Sequence, residues 1–123
     1  QPGTRVPAWC TANGRVLLAA LPQADVDAWL ARQRLRPLTP HTITGAERLR
    51  VEIARVRAQG HALVDQELEL GLRTLSVPLR NFRGEVVAAM NLSVHAARMR
   101  PDELLDRGLP VLLQAQALLK PLL

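Results

Sequence analysis

Three observations predict an α+β fold with an antiparallel sheet for this 123-residue chain. Two extended stretches, Leu72–Arg80 and Glu85–His95, flank a turn-like Asn81-Phe82-Arg83-Gly84. Apolar residues recur at helical spacing elsewhere, most clearly at Ala46, Leu49, Ile53 and Val56. The order reads helix, helix, helix, strand, hairpin, helix, which groups the strands instead of alternating them with helices.

Residues 1–11 read as irregular, with Pro2, Gly3 and Pro7. A short apolar helix is expected from about Asn13 to Leu21, with Thr11 as N-cap and Gly14 allowing close backbone approach. Pro22 opens a second helix, where its missing N–H costs nothing; Val26, Trp29 and Leu30 form its inner stripe. Residues 37–42 form a linker. Thr44 to Glu47 reads as a capping box opening a third helix that ends at Gly60. Its Arg48, Arg50, Arg55 and Arg57 stand off the apolar stripe, with Glu52 in reach of Arg48 and Arg55. His61–Val64 reads as a short strand, and 65–71 as an exposed acidic connector. Pro78 lacks a donor, so its strand should be an edge or meet a bulge there. Pro101-Asp102-Glu103 opens the last helical region, which Gly108 and Pro110 should split into helices over about 101–107 and 109–119. Leu112, Leu113, Gln116 and Leu119 are candidates to pack on the hairpin or to form an oligomer contact.

With Arg80 opposite Glu85, the hairpin pairs Leu79 with Val86, Val77 with Ala88, and Leu75 with Met90. That face is wholly apolar and calls for helices. The other face pairs Ser76 with Ala89, Thr74 with Asn91, and Leu72 with Ser93. Small, uncharged hydrogen-bonding groups there suit the floor of a pocket for a polar small molecule. The same pattern also suits a face open to water or covered by a partner.

Composition narrows the function classes. Hydrophobic residues are 48% and charged residues 22%, as in ordinary globular domains. No stretch approaches the roughly 18 apolar residues of a membrane span, and the start shows no charged-then-apolar leader pattern. Gln1 in place of Met reads as a fragment of a longer protein. A single cysteine, Cys10, excludes an internal disulfide and fits a reducing cytoplasm. No base lies beside it, so it reads as a small packed apolar group. His41, His61 and His95 lack metal-ligand spacing. Net charge is +5, but aromatics are only Trp9, Trp29 and Phe82, and the arginines are dispersed among acids. A stacking platform for single-stranded nucleic acid is therefore hard to build. The positive field favours anionic small ligands or serves solubility.

Several runs in order resemble the effector-binding domain of IclR-family transcription regulators. These are Gly3-Thr4-Arg5-Val6-Pro7-Ala8, Thr11-Ala12-Asn13-Gly14-Arg15-Val16-Leu17-Leu18-Ala19, and Leu38-Thr39-Pro40-His41-Thr42-Ile43-Thr44. Asp65-Gln66-Glu67-Leu68-Glu69-Leu70-Gly71-Leu72-Arg73, Ser76-Val77-Pro78 with Gly84, and Ala88-Ala89-Met90-Asn91-Leu92-Ser93 continue the match. Within the family, the chain looks most like the branch regulating protocatechuate and 4-hydroxybenzoate catabolism through the β-ketoadipate pathway.

The resemblance implies a GAF-like α+β domain that is non-catalytic, cytoplasmic and without cofactor. It implies association as homodimer or homotetramer, and DNA contact only through an N-terminal helix-turn-helix domain not present here. Residues 1–123 would then be one partial effector domain lacking its opening strands. An aromatic or dicarboxylic acid (protocatechuate, 4-hydroxybenzoate or β-ketoadipate) would set its carboxylate on backbone amides at Ala12 and Asn13, flanked by Thr11 and Gly14. Free N–H groups at a helix start do form anion sites. Thr74, Asn91 and Ser93 map to ligand-contacting positions, with Ser76 on the same face. Many relatives carry an acid where this chain has Val64, with Asp65 one place later as the candidate substitute. The rival reading is an oligomerisation module with no small-molecule ligand, which a ligand-induced melting shift would distinguish. A hydrolase using Cys10 or a serine lacks a nucleophile motif. Direct DNA binding by this chain would show as strongly salt-dependent affinity.

Overall fold

The computed structural model describes residues 7–123. The Gly3–Val6 part of the resemblance lies outside them. After a 3-10 turn at Ala8–Cys10 come α1 (Ala12–Ala19), α2 (Gln23–Ala31) and α3 (Ala46–Gln59). Strands β1 (Ala62–Asp65), β2 (Leu72–Arg80) and β3 (Val86–His95) follow, then α4 (Pro101–Leu119). The strands form one antiparallel sheet in the order β1-β2-β3.

The sheet lies between two helical layers. On one face Leu75 and Val77 bury with Leu104 and Leu112 of α4, and Leu63, Met90 and Leu92 pack around them. On the other, Ala62 and Val64 join a larger core with Val16 of α1, Ile53 of α3 and Val26 of α2. Alternation along each strand divides these two sets, as the apolar and polar hairpin faces required.

The register differs from the expected one by two residues. Observed partners are Leu75–Leu92, Val77–Met90 and Leu79–Ala88 on the α4 face, and Thr74–Ser93 and Ser76–Asn91 on the other. Two local devices cause this. The turn consumes Glu85, because Asn81 N–H donates to the Glu85 carbonyl and the Asn81 side chain accepts from Arg83 and Glu85 amides. Arg80 then pairs with Val86 and Leu79 with Ala88, leaving Val87 as an extra bulge residue. An even slip keeps every side chain on its face, whereas a slip of one would invert the sheet.

Pro78 sits in the central strand, but beyond the last β1 pairing at Ser76. Its carbonyl accepts from Gln116 Nε2 of α4 at 2.6 Å. The missing N–H therefore falls outside the β1–β2 pairing.

Two helix expectations fail. Thr44 does not cap α3; Gly45 occupies the N-cap without a side-chain bond, and Glu47 approaches Arg50 at 3.7 Å. Residues 101–119 form one helix, not two. Pro110 is exposed and near exposed Asp106, so the carbonyl that loses its partner faces water. Gly108 is a packing residue: a Cβ there would lie 3.1 Å from Leu104 Cδ1 and 3.4 Å from Leu75 Cδ2. Burial of Leu104 and Leu112 on either side of it, worth about 2 kcal/mol each, holds the helix together.

Arg50, Arg55 and Arg57 of α3 have partners inside the fold, and Glu52 pairs with Arg55, not with Arg48. Arg50 Nε donates to Asp27 of α2 at 2.8 Å, and Arg55 approaches Glu52 at 3.8 Å. Arg57 donates to the Ala19 and Leu21 carbonyls, closing the C-terminal end of α1. No helix among the described residues is long and apolar enough to cross a membrane.

Candidate functional site

Between the start of α1 and the polar sheet face lies a cavity of about 320 Å³. Its floor is Val64, Leu72, Thr74, Asn91 and Ser93. Its roof is the chain entering α1, from Cys10 to Asn13, and Leu68 closes one wall. The volume falls within the range of small-molecule pockets.

The roof is built by local rules. Thr11 Oγ1 accepts from Gly14 N–H at 3.1 Å, and the Thr11 carbonyl accepts from Arg15 N–H at 3.0 Å. Ala12 and Asn13 are thereby the helix-start amides without an acceptor among the described residues. With the positive end of the helix dipole, they form a patch suited to a carboxylate. Gly14 lets the preceding turn press against the helix: a Cβ there would stand 2.3 Å from the Ala8 carbonyl oxygen.

The floor carries the polar groups. Thr74 Oγ1 and Ser93 Oγ lie 2.9 Å apart across the β2–β3 pair, with Asn91 two residues away on the same face. Ser76 shares that face but does not line the cavity. It is fully covered by α1 and donates to Asn13 Oδ1 at 2.6 Å, tying roof to floor. Gly14 likewise stands behind the lining. Asp65 is on the opposite face, where Arg73 Nε donates to it at 2.9 Å. Alternation explains the correction: Val64 points into the cavity, so its neighbour points away.

Cys10 is fully buried, and its thiol contacts the Pro7 carbonyl at 3.8 Å. Burial, and then the nearby Glu67 carboxylate, push its pKa up to about 11. A thiol so held is a packing group, not a nucleophile, at neutral pH. Among the described residues no three His, Cys, Asp or Glu side chains gather as metal ligands.

One feature behind the site escaped sequence reasoning. Glu67, expected in an exposed connector, is buried and accepts two bonds from the equally buried Arg15, at 2.7 and 2.6 Å. The paired spacing across 52 residues leaves no periodic signal. Removing one partner would strand a buried charge at a cost of about 3–5 kcal/mol.

Residues 1–118 match the family model for the bacterial transcriptional regulator IclR C-terminal domain. The chain belongs to the IclR family. Its similarity to the Pca regulon regulatory protein of Pseudomonas putida is 46% identity over 113 residues, which is 92% of this chain and 39% of that protein. Among solved structures, a transcriptional regulator RHA06195 from Rhodococcus sp. RHA1 is 43% identical with a TM-score of 0.89, covering 94% of this chain and 47% of that one. The inducer-binding domain of PobR from Acinetobacter, a double mutant in complex with 3-hydroxybenzoic acid, is 34% identical with a TM-score of 0.93. That match covers 98% of this chain and 69% of the PobR domain. As an IclR C-terminal domain, the chain has the α+β, GAF-like fold of its relatives and belongs to a family of transcription regulators, not of enzymes.

Proposed function

We propose that this IclR domain senses a small aromatic or dicarboxylic acid of the protocatechuate, 4-hydroxybenzoate or β-ketoadipate class. The carboxylate rests on the Ala12 and Asn13 amides, between Thr11 and Gly14. Thr74, Ser93 and Asn91 bond the remaining polar groups. The observation that carries this reading is the cavity itself, with helix-start amides on one wall and a hydroxyl pair on the facing one. The likeness to a PobR domain bound to 3-hydroxybenzoic acid supports the acid class. Asp65 is left out of the contact set, and Ser76 serves it through Asn13.

In this reading residues 1–123 are part of one effector domain of a cytoplasmic homodimer or homotetramer. DNA is read by a separate N-terminal domain of the full-length regulator. Ligand binding biases helix packing, and so the spacing of distant DNA readers, to the extent that affinity differs between the two arrangements. Calorimetric titration with the three acids tests the proposal. Saturable binding of at least one is expected, and Asn91→Leu should weaken it without lowering the melting temperature. A folded protein that binds none of them removes the acid assignment.

A further inference from the structure

We propose that the buried Arg15–Glu67 pair is the positioning device of the acid site, setting the direction of the Ala12 and Asn13 amides over the sheet floor. The inference rests on the acid-binding reading above. Neither residue lines the cavity, so neither is a ligand contact. Arg15 lies three residues beyond Ala12 and two beyond Asn13, within the same first turn, and is 1% exposed. Its Nε donates to the Trp9 carbonyl at 3.0 Å, which binds the preceding turn back onto α1. Its two terminal nitrogens grip both oxygens of Glu67.

Glu67 extends the tie from its own loop to the 39–43 segment. Its Oε1 also accepts from Ile43 N–H at 3.0 Å, and its backbone carbonyl accepts from Thr42 Oγ1 at 2.6 Å. Thr39 Oγ1 donates to the adjoining Gln66 carbonyl at 2.5 Å. Thus one carboxylate joins the α1 entry, the 39–43 segment and the loop that carries Leu68 to the cavity wall. A two-point fork fixes orientation as well as distance, which a single ammonium contact does not. Apolar side chains of similar volume would stabilise the core about as well. What the charged pair adds is geometry, applied directly behind the amides.

The test uses 4-hydroxybenzoate and protocatechuate as probes, with calorimetry and amide-proton NMR of Ala12 and Asn13 as readouts. The double variant Arg15→Met with Glu67→Leu is expected to fold, yet to bind about tenfold more weakly, as a misplaced first contact would. The downfield shifts of the two amides on adding acid should shrink, which mere loss of stability would not produce. Arg15→Lys retains the charge and loses the fork; it should also weaken binding, and it serves if the double variant does not fold. Wild-type affinity and unchanged amide shifts in a folded variant overturn the inference and leave the acid reading intact. A wild-type protein that binds neither probe nor β-ketoadipate overturns both.

Discussion

Replacing Gly14 with alanine is the most discriminating perturbation of the site. In an ordinary helix the change would stabilise by about 1 kcal/mol, through lower backbone entropy in the unfolded chain. Here the added methyl would meet the Ala8 carbonyl oxygen at 2.3 Å, Ala8 Cα at 2.5 Å and Thr11 Oγ1 at 2.6 Å. Two of these atoms are backbone, so no rotamer change relieves the clash. Overpacking of this kind costs up to about 3 kcal/mol. Displacing Thr11 also weakens the cap on Gly14 N–H, at about 1 kcal/mol. The penalties exceed the gain by about 3 kcal/mol, or roughly 12 °C in Tm for a domain of this size. Thermal melts followed by circular dichroism measure it. If Gly14→Ala melts at or above the wild-type temperature, the turn at Ala8–Cys10 is not pressed against α1 as described. The cavity roof would then lose its basis.

The same substitution at Gly108 supplies the contrast. Its neighbours are flexible leucine ends at 3.1–3.4 Å, so Gly108→Ala should change stability by less than about 1 kcal/mol in either direction; a loss near that of Gly14→Ala would contradict the packing. Cys10 should resist iodoacetamide in the native protein at pH 7–8 and react on unfolding, read by mass spectrometry, because burial holds its pKa near 11. Rapid native labelling would show the thiol to be open. His61 has a lowered pKa, chiefly from burial, so the unfolded chain binds its proton first as pH falls. Its contribution is present above the unfolded value near 6.5 and lost as pH drops from there toward the folded pKa. His61→Gln should flatten that part of a denaturation-versus-pH series; an unchanged slope would assign it to other groups.

Much of the site could be read from local pattern. Alternation alone put Thr74, Ser76, Asn91 and Ser93 on one face, and that assignment survived a register error because the slip was even. The Thr11 cap and the Gly60 terminus were equally legible, since each satisfies groups within a few residues. Expectations failed where a distant partner outweighed local preference. Gly108 and Pro110 break helices in isolation, yet α4 runs through them because the sheet rewards burial on both sides. Glu67 resembles a solvated connector acid until Arg15, 52 residues earlier, arrives beside it. Which faces exist is a short-range matter of chain geometry. Which of them enclose a cavity, and what holds the helix start above it, depends on contacts that form only when remote segments meet.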